Sequence, residues 1–238
     1  MIISKIGNVH VKVRKNNQDF YLEGDRCRIL TDGCSAGEDS DFGTRLFLKL
    51  FSTIENWEDD SKFEENVSLT FEKIFDIFDI NVKENPRKSY EFILNNLCFT
   101  ISAIFEFDDC FMVKYLGDGY IVTQNVMDQI SYIKIDYGKY PPYYVYNLME
   151  SEKKNVYKEK LKFNSYVFTK KLFKNVGLAS DGIEPLVFEK SIKSCDHSKF
   201  DSFLVNDENL DEERNTNRIA NFLQRNSVHF YDDTTIIF

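Results

Sequence analysis

The sequence predicts an α+β fold built on antiparallel sheet, and two patterns lead to this class. Residues 97 to 107 alternate strictly, with an apolar side chain at every odd position, and after a two-aspartate turn the apolar segment 110 to 116 returns as a second strand. Apolar residues recur at helical spacing in residues 46 to 54 and again in residues 67 to 78. No linker rich in Pro, Gly or Ser interrupts the chain, so we expect a single domain spanning residues 1 to 238.

The first part of the chain predicts strands followed by helices. In residues 2 to 13 three valines share one side, which is typical of a strand covered on one face. Residues 20 to 30 predict two strands joined at Gly24-Asp25. Ser40 and Asp41 are candidate caps for the first helix, and both helices are expected to pack their apolar faces on a sheet.

The later elements follow from similar patterns. Residues 137 to 173 are rich in Tyr and Lys, and only Tyr166-Val167-Phe168 indicates a strand there, so we expect loops that overhang the functional site. The other predicted elements are strands at 120–123 and 130–135 continuing the meander, helices within 184–205 and 216–226, and a last strand at 234–238.

Composition limits the classes of function. A net charge of −9 argues against a general nucleic-acid binder, because phosphate backbones are bound by clusters of Lys and Arg. No apolar run approaches the ~20 residues of a membrane span, and the N-terminus lacks the apolar stretch of a secretory signal, so we expect a soluble cytoplasmic protein. The five cysteines are an odd number without a close pair, which predicts reduced thiols rather than disulfides or a zinc site.

Four acidic turns follow predicted strands or precede one. They are Asp32-Gly33, Gly117-Asp118-Gly119, Ser180-Asp181-Gly182 and Asp232-Asp233. Each alone is common turn chemistry. Together they suggest one composite site, and carboxylates without His or Cys partners suit hard cations such as Mg²⁺ or Mn²⁺.

The order of these segments carries a resemblance to a known family. Arg14-Lys15-Asn16-Asn17-Gln18-Asp19 comes first, followed by Thr31-Asp32-Gly33-Cys34-Ser35 and then by the other three acidic turns. Read from end to end, the set resembles the metal-dependent type 2C (PPM) protein serine/threonine phosphatases, in their short bacterial-type branch. The resemblance covers residues 14 to 238 and implies a four-layer α-β-β-α sandwich of two antiparallel sheets flanked by helices.

The resemblance also implies roles for individual residues. Asp32 would bridge two divalent ions, Mg²⁺ or Mn²⁺, which activate water for attack on phosphoserine or phosphothreonine. Arg14 would hold the phosphoryl group through paired hydrogen bonds. The other expected ligands are Asp181 and Asp232 beside Asp32, the backbone carbonyl of Gly33, Asp118 for a looser third ion shared with Asp181, and Asp19 directly or through water. The implied partners are a phosphorylated protein substrate and an opposing serine/threonine kinase.

Two departures from the family pattern keep other functions open. Gln18 stands where many members carry Glu, and Cys34 stands where many eukaryotic members carry a His that acts as general acid. The first alternative is therefore a catalytically weak or inactive regulatory or binding module with the phosphatase fold. A second alternative is an unrelated metal-binding α+β protein, in which the order of the acidic turns is a coincidence.

Overall fold

Two five-stranded antiparallel sheets form the centre of the molecule. The computed structural model describes residues 1–138, 141–149, 161–187, 197–205 and 212–238. The first sheet consists, in spatial order, of β1 (Ile2–Lys5), β10 (Thr234–Ile237), β9 (Phe173–Ala179), β6 (Gly119–Asn125) and β7 (Ile130–Ile135). The second consists of β2 (Phe20–Glu23), β3 (Cys27–Gly33), β4 (Phe99–Glu106), β5 (Cys110–Leu116) and β8 (Asn164–Thr169).

Helices cover the outer faces of both sheets. Those on the second sheet are α2 (Ser40–Phe51), α3 (Phe63–Ile77) and α4 (Pro86–Asn96). Those on the first sheet are α5 (Glu184–Val187), α6 (His197–Val205) and α7 (Glu212–Asn226). A short helix, α1 (Asn8–Val13), follows β1, and 3₁₀ turns occupy Asp60–Lys62, Tyr144–Leu148 and Asp181–Ile183.

Three apolar layers hold these elements together. Phe47 and Phe71 of α2 and α3 pack on Phe99 of β4, whereas Phe200 and Ile219 belong to the layer beneath the first sheet. The layer between the sheets includes buried side chains from both of them, namely Leu30, Ile104, Phe111, Val113, Ile121, Val176, Leu178 and Ile237. The predicted four-layer sandwich is therefore confirmed.

The predicted strand at residues 2 to 13 is wrong beyond Lys5. Residues 8 to 13 form α1, in which all three valines are exposed and His10 is buried. The main-chain N–H groups of Asn8 and Val9 donate to the carbonyls of Phe230 and Tyr231 at 3.0 and 3.1 Å. Contacts with a distant segment thus fix this helix, and so short a pattern of alternating valines cannot indicate them.

The expected single meander is also wrong, because the chain changes sheets after β5. Strands β4 and β5 lie in the second sheet, whereas β6 and β7 lie in the first, and the crossing falls at Gly117-Asp118. The helix α4 was not predicted. The expected strand near residue 166 and the last strand are present, and parts of the predicted 137–173 loops and 184–205 helix lie outside the described residues.

Two further predictions concern the cysteines and the membrane. Cys27, Cys34, Cys98 and Cys110 are free thiols, and Cys195 lies outside the described residues. Within the described ranges, no helix combines the length and the apolar character that crossing a bilayer requires.

Candidate metal-binding and active site

Asp32 lies at the end of β3, where it faces the start of β4. Asp32 and Gly33 are the last two residues of the strand and pair with Thr100 and Phe99. The Asp32 main-chain N–H donates to the Thr100 hydroxyl at 3.2 Å. The strand ladder therefore fixes the backbone that carries this carboxylate at the rim of the second sheet.

Asp118 lies on the connection between the two sheets. Gly117 and Gly119 on either side have φ angles of 103° and 138°, a backbone conformation that favours glycine. A Cβ at position 117 would also lie 2.5 Å from Cγ2 of Thr100. The Gly-Asp-Gly sequence is thus needed so that the chain can change sheets next to Thr100 and present the acid there.

Asp181 and Asp232 come from neighbouring strands of the first sheet. Asp181 follows β9 and Asp232 precedes β10, and these strands pair antiparallel through Ala179 and Ile236. A Cβ at Gly182 would lie 2.0 Å from the Asp233 carbonyl oxygen, so the two acidic turns touch. Only glycine at position 182 permits this approach.

All four acidic turns meet at one pocket between the sheet ends. Its volume is about 170 Å³. Its lining residues are Asp32, Gly33, Cys34, Ser35, Thr100, Asp118, Pro141, Tyr143, Asp181 and Asp232. Pro141 and Tyr143 come from the segment between β7 and β8, so the loop expected over the site contributes to its wall.

Asp19 lies buried behind this pocket rather than among the residues that line it. It is 2% exposed, and the Ser180 hydroxyl donates to its Oδ2 at 2.7 Å. The Oδ1 atom is buried without a hydrogen-bond partner. Burial, followed by repulsion from Asp233, raises the pKa of Asp19 to about 7, and its side chain interacts with that of Asp32.

Arg14 lies at the C-terminal end of α1 with its backbone in the left-handed region at a φ of 59°. Its side chain is exposed, and the pocket's lining among the described residues does not include it. The predicted contact between Arg14 and a phosphoryl group stays a prediction.

The electrostatics of the pocket favour a divalent cation. Burial raises the pKa of Asp32 well above its usual value, and repulsion from Asp19, Asp181 and Asp118 adds to this. Burial and the charges of Asp118 and Asp232 raise the pKa of Asp181 to about 7. No Lys, Arg or His lines the pocket within the part of the chain that the structure describes. Crowded oxygen ligands with no cationic side chain among the described lining residues, together with the unpartnered Asp19 Oδ1, fit Mg²⁺ or Mn²⁺.

His10 is a residue of this region that the sequence analysis missed. Its Nδ1 lies 2.8 Å from Asp233 Oδ2 and 3.8 Å from Asp232 Oδ1, and the ligand atoms of these three residues lie within 4.8 Å of one another. Asp233 also accepts the N–H groups of Gly7 at 2.7 Å and Gln18 at 2.6 Å. Because both Asp233 oxygens are already hydrogen-bonded, we interpret the cluster as a buried support for the turn that carries Asp232.

Gln18 and Cys34, the two departures from the family pattern, occupy different places. The Gln18 amide donates to the Ser40 hydroxyl at 2.6 Å, and its Oε1 is buried without a partner. Cys34 lines the pocket directly after Gly33. The thiol is therefore in the pocket, whereas the Gln18 amide group is tied to the start of α2.

Comparison with solved structures identifies the fold. No protein-family model matches the sequence. No curated protein matches it either. The structure is similar to the serine/threonine phosphatase Stp1 from Staphylococcus aureus, with 12% identity, a TM-score of 0.61 and coverage of 99% of this chain and 92% of that one.

Two other bacterial structures are similar in the same way. PppA from Pseudomonas aeruginosa, described as a key regulatory component of T6SS, has 14% identity and a TM-score of 0.61, with 99% and 94% of the two chains covered. The serine/threonine phosphatase PstP/Ppp from Mycobacterium tuberculosis has 15% identity and a TM-score of 0.56, with 99% and 95% covered. The chain therefore has the fold of the PPM-type serine/threonine phosphatases, as the sequence resemblance implied.

Proposed function

We propose that this protein is a Mg²⁺- or Mn²⁺-dependent phosphatase that removes the phosphoryl group from phosphoserine or phosphothreonine in proteins. The observation that carries the proposal is the meeting of Asp32, Asp118, Asp181 and Asp232 in one pocket of a phosphatase fold, although they span two hundred residues of sequence. Four mutually repelling carboxylates, with no Lys or Arg beside them among the described lining residues, are unfavourable unless cations bind there.

The residues around the pocket would share the binding of the ions. Asp32, Asp181 and Asp232 would hold one ion, the Gly33 carbonyl would help hold a second, and Asp118 would share a looser third with Asp181. Asp19 would bind an ion from its buried position behind the pocket, directly or through water. When bound, such ions neutralise phosphoryl oxygens and lower the pKa of a water molecule, which makes that water a nucleophile at neutral pH.

The chain's own geometry supports this division. The strand ladder holds Asp32, and the contact between the Gly182 and Asp233 turns holds Asp181 near Asp232. Ligands on rigid strand ends keep the spacing that a multi-ion centre requires. The same proposal includes Arg14 as a phosphate contact, a single catalytic domain, a cytoplasmic location, and a serine/threonine kinase that adds the phosphoryl groups removed here.

The experiment compares hydrolysis of p-nitrophenyl phosphate and of a phosphothreonine peptide with Mn²⁺ and with EDTA. The wild-type protein should turn over both substrates only with the ion, and Asp32→Asn or Asp181→Asn should lower kcat at least a hundredfold. Asp128→Asn is the matched control, because this exposed carboxylate lies in the turn between β6 and β7, pairs with Lys174 at 2.7 Å and does not line the pocket.

Turnover that survives in EDTA, or in both pocket variants, would contradict the proposal. Binding of the phosphopeptide by the Mn²⁺-loaded protein without turnover would instead identify a binding module.

A further inference from the structure

One tyrosine lines the pocket from a segment that carries none of the acidic turns. Tyr143 comes from the segment between β7 and β8 and lines the pocket together with Pro141. The side chain is 7% exposed, so its ring is buried. Among the described residues, no Lys, Arg or His lines the pocket, so a neutral donor in its wall can add to the contacts proposed for the ions and Arg14.

The position of Tyr143 is fixed by the core beneath it. The 3₁₀ turn Tyr144–Leu148 begins at the next residue, and Val145 and Tyr146 are buried in the apolar layer below α2 and α3. The rings of Tyr143 and Tyr146 lie edge to face, with centroids 5.5 Å apart. A side chain locked in this way presents its hydroxyl without an ordering cost at each binding event.

Tyr143 shares the pocket wall with Cys34, the residue that follows Asp32-Gly33. Burial, and then the hydrogen bond and proximity of Cys34, raise the pKa of Tyr143 far above its usual value, so the phenol keeps its proton. A thiol is one of the weakest hydrogen-bond partners among side chains. Exchanging that partner for a charged phosphoryl oxygen would therefore strengthen the bond that the Tyr143 O–H makes.

We propose that the Tyr143 hydroxyl binds the substrate by donating a hydrogen bond to a non-bridging phosphoryl oxygen, leaving its Cys34 partner to do so. The proposal deepens the proposed phosphatase function and rests on it. It assigns a contact to the part of the pocket wall that the segment between β7 and β8 contributes, and no proton is transferred. Tyr143 is thus a substrate-binding residue, and Cys34 is only the partner that its hydroxyl leaves when the phosphoryl group binds.

The test is Tyr143→Phe, which removes only the hydroxyl. The expected result is a rise of about tenfold to a hundredfold in KM for both p-nitrophenyl phosphate and a phosphothreonine peptide, with kcat little changed. The inhibition constant of inorganic phosphate should rise by the same factor. Tyr146→Phe is the matched control, because that hydroxyl approaches the Cys98 thiol at 3.9 Å and does not line the pocket, and it should leave all three constants unchanged.

A second variant separates binding from support of the wall. Cys34→Ala removes the weak partner of the Tyr143 hydroxyl and should leave the affinity for inorganic phosphate unchanged or tighter. An equal loss in Cys34→Ala and Tyr143→Phe would overturn the proposal, because the pair would then act as structure.

Unchanged KM and phosphate inhibition in Tyr143→Phe would overturn it as well. So would a fall in kcat for the peptide alone, since that pattern places the hydroxyl on the leaving oxygen, where p-nitrophenol needs little help. If the wild-type protein shows no turnover, the proposed function fails, and calorimetry of inorganic phosphate with the Mn²⁺-loaded proteins decides the Tyr143 contact. Equal or undetectable binding by wild type and Tyr143→Phe would then overturn it.

Discussion

Replacing Asp181 by Asn is expected to stabilise the metal-free protein at neutral pH and to remove most of its response to divalent cations. Burial, followed by repulsion from Asp118 and Asp232, raises the pKa of Asp181 from 3.8 to about 7. The ionised form of this side chain is therefore unfavourable in the folded protein without ions. Asn has nearly the same shape and no charge, so the variant should lack that cost.

The magnitude follows from the pKa. At about 1.36 kcal/mol for each pKa unit, a rise from 3.8 to about 7 corresponds to at most about 4 kcal/mol lost from the free energy of unfolding above pH 7. Because Asp181 keeps some contact with water, we expect about 2 kcal/mol. A domain of this size changes its Tm by about 2 to 4 °C per kcal/mol, so the variant should melt about 4 to 8 °C higher.

The sign of the pH dependence is fixed by the same values. Unfolded Asp181 ionises near pH 4, whereas folded Asp181 ionises only near pH 7, so the folded state holds the extra proton between these limits. The stability of the wild-type protein falls as the pH rises through this window. The advantage of Asp181→Asn should therefore be small at pH 4.5 and reach its full size above pH 7.

The assay is thermal unfolding in EDTA from pH 4.5 to 8.5, repeated with Mn²⁺. At an ion concentration about a hundred times the Kd, the wild-type protein should gain about 2.7 kcal/mol, and the variant should gain much less. Asp128→Asn is the control, because the Lys174 contact lowers the pKa of that exposed carboxyl, and it should not raise the Tm. A variant that is no more stable than wild type at pH 8, or equally stabilised at pH 4.5, would refute the reasoning.

Three further predictions concern the same region. Gly117→Ala should lower the free energy of unfolding by at least about 2 kcal/mol and weaken Mn²⁺ binding, because its Cβ would meet Thr100 and a φ of 103° disfavours Ala. Calorimetric unfolding and Mn²⁺ titration check this, and a normal Mn²⁺ affinity would contradict it. His10→Ala should lower the free energy of unfolding by about 2 kcal/mol, because buried Asp233 loses a hydrogen-bond partner. In urea unfolding, His10→Asn should recover part of this loss, and equal losses in the two variants would speak against the hydrogen bond. The affinity for Mn²⁺ should rise with pH up to about 7 and level off above, because protons compete for Asp181, and a pH-independent titration would exclude this competition.

The strands and turns were predictable where a local sequence pattern determines the structure. The hairpin of β4 and β5 follows from strict alternation, and the acidic turns follow from glycines that the backbone requires, as at Gly117. The order of the turns then indicated the fold, even though the structural relatives share only 12 to 15% identity with this chain.

The missed features depend on contacts between distant segments. The helix α1 is held by hydrogen bonds to residues 230 and 231, which no local pattern reveals. In α4, only Ser89 and Ile93 are buried, so its apolar stripe is too weak to stand out. Tyr143 is one of thirteen tyrosines, and nothing in its neighbours marks it as the one that reaches the pocket.

The carboxylates of the pocket belong to different sheets, Asp32 to the second and Asp181 to the first, with Asp118 on the crossing between them. The gaps between these oxygens are therefore set by the registration of the two sheets across the layer that contains Leu30 and Leu178, and by no single turn. Under the proposed function, substitutions deep in that layer should alter ion affinity even though every ligand residue is retained. Conversely, sequences that diverge elsewhere can preserve the arrangement of the pocket carboxylates, provided that the apolar layer between the sheets keeps its thickness.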